Sequence, residues 1–284
     1  MHDKPQAAPA REFRLPSHEV LAIIGRDAAA FAQAQFMNDV AALGDGQWQW
    51  NGWLTPKGRV LALFALLRID AETLWLLLPD ADAAELADAL RRYVFRSKLK
   101  IEVRGDLHAN GGFDAPAQAR GPAWARIGDA VELDMSGDGG PRRLRIDAAP
   151  ADDDATALAR WDAADLAHGL PRLPASQAGQ WTPQQLSLER LRAFSVKKGC
   201  YPGQEIVART HFLGQAKRGL ALFETDAAPA AGAEVFEDTR AVGSIVASAA
   251  PLALAVLPVE RGAPVRLADG AALHERPLAN GLAR

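Results

Sequence analysis

Cys200 is the residue of this chain whose sequence surroundings are best suited to chemistry. It lies in the run KKGCYPGQE, which covers Lys197–Glu205 and leads into a predicted helix over Gln204–Phe212. The free N–H groups and the dipole at a helix N-terminus favour a nearby anion, and Lys197 and Lys198 add positive charge. Because the thiolate is the reactive form of cysteine, the run predicts a reactive thiol.

The same run also has plainer interpretations, and the residues alone leave them open. A single cysteine is often a small buried apolar residue. The two lysines can face solvent, Tyr201 can belong to the core, and Glu205 can simply favour the first turn of the helix. Gly199 and Gly203 permit either a close approach to a ligand or a positive φ.

The composition argues against several other kinds of site. One cysteine cannot form an intrachain disulfide, and the six histidines lack paired ligand spacing, so we expect no bound metal. A formal charge of −3 gives no overall attraction to nucleic acid or to an anionic membrane. Positive charge suited to an anionic ligand is instead local, at Lys197, Lys198, Arg209, Lys217 and Arg218.

The sequence predicts a cytoplasmic protein. Its first residues, MHDKPQAAPAREF, lack the apolar core of a signal peptide. The longest apolar runs, Val60–Leu67 and Ala249–Val259, are shorter than the ~20 residues that span a bilayer. We therefore expect neither a membrane partner nor direct contact with nucleic acid.

The elements that must position the thiol are a mixture of strands and helices. Strands are predicted at Val20–Ile24, Gln47–Asn51, Val60–Leu67, Leu74–Leu78 and Leu99–Val103, and more weakly at Ala123–Ile127, Val131–Met135 and Arg143–Ile146. The alternation around Trp48 and Trp50 is that of a half-buried strand. Helices are predicted at Ala28–Phe36, Asp82–Val94, Ala155–His168, Thr182–Phe194 and Gln204–Phe212, with Asp27 and Asp82 as N-caps. This order predicts an α+β fold.

The sequence pattern changes after Lys217, where short predicted strands alternate with turns rich in Gly, Pro and Asp. The strands are predicted at Leu220–Glu224, Glu234–Glu237, Val242–Ala247, Leu252–Pro258 and Pro264–Leu267. We interpret them as a small C-terminal β-barrel. The chain thus divides into an α+β domain over residues 13–213 and a barrel over residues 214–284.

The run KKGCYPGQEIVAR closely resembles the signature of the YgfZ family, K-G-C-Y-x-G-Q-E. Further pieces match the family in order, namely Phe31–Val40, Leu54–Arg59, Tyr93–Lys98, Gly169–Pro171 and Leu213–Arg218. The resemblance spans roughly residues 15–260 and is poorest over residues 105–150.

The resemblance implies a fold, a ligand and a role. The family resembles the glycine-cleavage T-protein, an aminomethyltransferase that uses tetrahydrofolate. The implied fold is two interwoven α+β subdomains around a central folate cavity, plus a C-terminal β-barrel. The implied role is that of a tetrahydrofolate-binding accessory protein for synthesis or repair of iron–sulfur enzymes, including tRNA-modifying ones. These enzymes are the expected client partners.

The resemblance also assigns site residues. The functional thiol of the family falls on Cys200, and a folate-contacting tryptophan falls on Trp161, eight residues before Gly169. An indole face suits stacking on a pterin, although Trp161 can equally join Leu158 and Leu166 in a buried stripe. The other residues assigned to the folate site are Lys197, Lys198, Gly199, Tyr201, Gln204, Glu205 and Arg209.

Two positions depart from the T-protein. Ala62 and Leu63 stand where the T-protein carries adjacent aspartates, and neither can hold or transfer a proton. Aminomethyl transfer by the usual mechanism is therefore not expected. Two alternatives to the accessory role stay open: a folate-dependent one-carbon transferase that uses other residues, and a docking module without chemistry.

Overall fold

The computed structural model of the protein describes residues 11–214, 216–226 and 228–284. The first ten residues, on which the expectation about a signal peptide largely rests, lie outside these ranges. Within the described residues, no helix combines the length and the apolar character needed to cross a membrane.

Two five-stranded antiparallel sheets form the first part of the molecule. In spatial order, the first sheet consists of β3 (Trp48–Leu54), β4 (Val60–Asp70), β5 (Thr73–Leu78), β2 (Glu19–Ile24) and β6 (Lys100–Val103). The second consists of β1 (Phe13–Arg14), β7 (His108–Gly112), β10 (Arg143–Asp147), β9 (Ala130–Asp134) and β8 (Ala125–Ile127). Because the chain begins in the second sheet, builds the first and then returns, the two halves are interwoven, which confirms the expected α+β arrangement.

Within the described ranges, four α-helices accompany the sheets. They are α1 (Ala28–Gln35), α2 (Ala83–Arg91), α3 (Ala155–Ala167) and α4 (Gln204–Leu213). The predicted cap of α2 forms, since the Asp82 carboxylate accepts a hydrogen bond from the Glu85 N–H at 2.8 Å. Asp27 occupies the N-cap position of α1 as predicted, but its carboxylate makes no capping hydrogen bond and instead accepts one from the backbone N–H of Lys98 at 2.6 Å.

Strand β3 is not half-buried as its alternation predicts, because all seven of its residues are buried. Trp50 faces the core between the two sheets, whereas Trp53 faces the core beneath α1 and α2. Alternating polarity predicts which residues of a strand share a face. It does not reveal that both faces of β3 are covered, one by the second sheet and the other by α1 and α2.

The predicted helix over Thr182–Phe194 is also wrong. The capping pair at its start does form, with the Gln185 N–H donating to Thr182 Oγ1 at 3.2 Å. The chain then enters the left-handed region at Ser187 (φ 49°) and again at Arg192 (φ 55°). Only one 3₁₀ turn, Leu188–Leu191, fits between these two reversals.

The C-terminal part forms a closed six-stranded barrel, as predicted. Its strands, in spatial order, are β11 (Arg218–Glu224), β14 (Leu252–Pro258), β13 (Arg240–Ala249), β12 (Glu234–Glu237), β15 (Val265–Leu267) and β16 (Ala272–Arg276). The sequence interpretation missed β16, and in the first part of the chain it missed β1 and β7. The division of the chain at residue 214 stays a prediction.

The segment after the barrel returns to the two sheets. Leu282 is buried in the core between them, and its carbonyl accepts a hydrogen bond from Trp50 Nε1 at 2.7 Å. Arg284 lies over the ring of Trp48 and donates from Nη2 to the Asp134 carbonyl at 2.7 Å. Residues from both ends of the described chain therefore complete one core.

Candidate functional site

Cys200 is a free, exposed thiol in the loop that leads into α4. Lys197 and Gly199 are exposed beside it in the sequence, and Glu205 and Arg209 are exposed on the helix that follows. The exposed charged residues between positions 197 and 209 are thus two cations and one carboxylate.

Lys198, in contrast, is buried and points away from that surface. Its ammonium donates to the carbonyls of Gln33, Phe36 and Asn38, at 2.5, 2.5 and 3.1 Å, around the C-terminal end of α1. It also lies 4.8 Å from the ring centroid of Tyr201. Burial lowers the pKa of Lys198 to about 8. The charge that the sequence placed beside the thiol is therefore used to fasten the loop to α1.

Three more residues of the signature shape the same loop. The Gln204 side chain donates to the Lys198 carbonyl at 3.0 Å, and the Tyr201 hydroxyl donates to the Ser195 carbonyl at 3.2 Å. Burial raises the pKa of Tyr201 to about 12. Gly203 has a φ of 80°, and a Cβ there would lie 2.6 Å from Gly58 Cα. The signature therefore builds a fixed loop that leaves Cys200 facing solvent.

A small cavity lies between the two sheets. It measures about 10 Å³, which is room for about one water molecule. Its walls are mostly apolar, formed by Trp50, Ala65, Leu77, Pro79, Leu133, Met135, Leu144 and Leu170, and its polar lining residues are His18 and Asp165. Burial and the nearby Arg172 guanidinium hold the pKa of His18 well below its usual value.

Polar atoms without partners lie at and behind this wall. Arg142 Nη1 donates to Asp165 Oδ1 at 2.8 Å, and both side chains are buried. Asp165 Oδ2, Arg142 Nε and Arg142 Nη2 are buried without a hydrogen-bond partner in the structure. Asp165 Oδ2 lies 3.8 Å from Arg172 Nη1, which is too far for a hydrogen bond. Such atoms are costly to bury unless a ligand or water satisfies them.

Trp161 is enclosed next to this pair and does not line the cavity. It is fully buried, with the Arg142 guanidinium 4.6 Å from its ring centroid and Phe13 and Phe113 against it edge-on. This position matches the core interpretation of Trp161. A direct contact with folate stays a prediction.

The structure does not gather all the predicted site residues in one place. Tyr201 and Trp161 belong to the same core, but among the described residues none from 197–209 lines the cavity. The sequence interpretation missed Trp50, Asp165 and Arg142. Only the spacing of Asp165, four residues after Trp161 on one face of α3, offered a signal for any of them.

The two positions that replace the T-protein acids lie on opposite faces of β4. Ala62 lies in the core beneath α1 and α2, and Leu63 lies in the core between the sheets. In the described part of the chain, no group of three or more His, Cys, Asp or Glu is arranged to hold a metal ion.

Comparison with known proteins identifies the relatives of this chain. It is 31% identical over 219 residues to the tRNA-modifying protein YgfZ of Klebsiella pneumoniae, an alignment that covers 70% of this chain and 66% of the relative. It is 28% identical over 266 residues to the protein of the same name from Aliivibrio fischeri, covering 84% and 82%. The chain belongs to the YgfZ family. The predicted resemblance is thereby confirmed, although no protein-family model matches the chain.

The fold of this YgfZ relative is also that of a known enzyme. The glycine cleavage system aminomethyltransferase T from Bartonella henselae superposes with a TM-score of 0.68, covering 95% of this chain and 86% of that one. The two sequences are 17% identical, so this likeness establishes the fold alone. The predicted T-protein-like architecture is confirmed.

Proposed function

We propose that this YgfZ relative is a cytoplasmic, tetrahydrofolate-binding accessory protein for synthesis or repair of iron–sulfur enzymes, including tRNA-modifying ones. Cys200 is its functional thiol. The curated relatives named above are called tRNA-modifying proteins, which fits clients of this kind.

The observation that carries the proposal is the construction of the Cys200 loop. Lys198, Tyr201, Gly203 and Gln204 use their side chains or backbone to fix the loop, whereas the Cys200 thiol is free and exposed. Folding does not require an exposed thiol at the centre of such a loop, whereas chemistry on a partner protein does.

Two features of the cavity between the sheets support the proposed folate site. A pterin offers a flat face and an edge of donors and acceptors, while the cavity offers the indole of Trp50 and the unpartnered carboxylate oxygen of Asp165. We assign Trp50, Asp165 and Arg142 to folate binding, with Trp161 holding Arg142 in place. A bound tetrahydrofolate would supply a carrier for one-carbon groups.

The cavity must widen to admit such a ring, because it now measures about 10 Å³. Leu282 and the indole of Trp50 are linked by a hydrogen bond and lie in the core between the sheets. A shift of the segment that carries Leu282 would be one way to enlarge the cavity.

The same small volume favours a second candidate, a docking module in which the folate cavity is vestigial. This candidate predicts that clients are supported although no folate binds. Unlike the first proposal, it involves no folate. In both, the surface around Cys200 contacts the client protein.

The accessory role is tested in cells that lack the protein, by measuring an iron–sulfur-dependent tRNA modification. We expect wild type to restore the modification and Cys200→Ser to fail, with both chains unfolding at the same urea concentration. Full restoration by Cys200→Ser would remove the thiol from the account. Restoration by a chain that binds no tetrahydrofolate would favour the docking module.

A further inference from the structure

A second cleft lies where the first part of the chain meets the barrel. It measures about 270 Å³, and its polar lining residues are Arg59, Thr182, Gln185, Thr210, Lys217 and Arg218. None of these residues lines the cavity between the sheets. The cleft is therefore a separate site, and nothing said above about folate depends on it.

The charge in this cleft is all of one sign. Arg59, Lys217 and Arg218 line it without an acidic residue, and within the described part of the chain none of the three forms an ion pair. Thr210, in the last turn of α4, also lines the cleft, so the negative end of the helix dipole lies nearby. That end carries only about half a negative charge, which is less than the three positive charges of the side chains.

Two of the cations are already held in position. Arg59 Nη1 donates to the Gln180 carbonyl at 2.7 Å and to Gln185 Oε1 at 3.0 Å, and among the described residues Nε and Nη2 have no hydrogen-bond partner. Arg218 Nη1 donates to the Val242 carbonyl at 2.8 Å. A guanidinium fixed on one side can present its remaining N–H groups to an oxyanion with little further loss of entropy.

We propose that this cleft binds a compact phosphate-bearing ligand, of the size of pyrophosphate or a nucleoside diphosphate. Two fixed guanidinium groups match the bidentate geometry of phosphate oxygens, and Lys217 adds an exposed point charge at the rim. The proposal goes beyond the accessory role and is independent of it.

The test is calorimetric titration of the full chain with pyrophosphate, in the absence of folate. We expect saturable binding that weakens as salt rises, and that falls roughly fivefold or more in Lys217→Gln. The charge-matched control is Lys100→Gln, on the edge strand β6, where Lys100 pairs with Glu102. Its affinity for pyrophosphate should equal that of wild type.

Three results would overturn the proposal. They are the absence of saturable binding, an equal loss in both lysine variants, and binding of tri-γ-glutamate without binding of pyrophosphate. The second would mean diffuse surface attraction, and the third would mean that the cleft takes carboxylates. Because folate is absent, failure here leaves the folate proposal untouched, and failure of folate binding leaves this one standing.

Discussion

Lys198 is a residue of the signature that faces the interior and not the surface of the Cys200 loop. Its ammonium joins the Cys200 loop to three carbonyls around the end of α1. Its neighbour Lys197 is exposed. Two adjacent lysines therefore differ in burial and in hydrogen bonding. Substituting each in turn gives a matched pair of variants.

We expect Lys198→Met to lower the free energy of unfolding by about 2–4 kcal/mol, because it leaves buried carbonyls without a donor. Lys197→Met should change it by no more than about 0.5 kcal/mol. Urea unfolding of both variants measures the difference. Equal stabilities would mean that the buried ammonium does not fasten the loop.

The stability of the protein should also depend on pH through Lys198. Its pKa is about 8 in the folded protein, against an ordinary value of 10.5, so the unfolded chain holds more protons between these two values. The free energy of unfolding contributed by this group therefore rises as pH rises through that window. Unfolding curves across the window should show wild type gaining stability relative to Lys198→Met, and the opposite trend would contradict the assignment.

Sequence reasoning located the Cys200 signature but could not divide its residues between surface and interior. Whether Lys198 or Lys197 turns inward depends on α1, which is more than 150 residues away in the chain. For the same reason Arg59 could not be linked to Lys217 and Arg218, because only the folded chain brings the turn between β3 and β4 next to the barrel.

At the scale of elements, the segment after Thr182 marks the limit of local signals. The start signal was correct as a capping pair, yet no α-helix follows it. The backbone is left-handed at Ser187 and Arg192. Because neither residue is glycine, the sequence gives no sign that the chain changes direction there. Elsewhere local signals were enough: a capping pair and apolar periodicity predicted α2, and start and stop signals predicted α3.

Arg192 allows the reversal to be tested. Its side chain is exposed and its φ is 55°, a conformation that costs a non-glycine residue about 1 kcal/mol. We expect Arg192→Gly to be more stable than Arg192→Ala by about that amount, since both remove the same side chain. Thermal or urea unfolding gives the comparison, and greater stability of the alanine variant would argue for a helical backbone at this position.

At the scale of the whole molecule, the barrel and the two sheets are joined by the segment that carries Leu282. The strand pattern after Lys217 predicted the barrel, and the family resemblance predicted the interwoven sheets. Neither predicted this return, because nothing local to residues 277–284 signals a distant partner. We propose that the two domains, divided near residue 214, unfold together for this reason.

Leu282→Ala should lower the free energy of unfolding by about 2–4 kcal/mol, because it opens a cavity in the core between the sheets. Fluorescence of the tryptophans and far-ultraviolet circular dichroism should report a single transition for wild type. Two separate transitions in wild type would contradict the joint unfolding of the domains.

The most direct test of the central claim is a titration with tetrahydrofolate that follows tryptophan fluorescence. Ala65 lines the cavity between the sheets, whereas Ala62, on the opposite face of the same strand, lines an outer groove. We expect saturable binding to wild type, at least roughly tenfold weaker binding to Ala65→Leu, and unchanged binding to the matched control Ala62→Leu, with both variants folded. Absence of binding to wild type, or equal binding to the two variants, would contradict a folate site between the sheets.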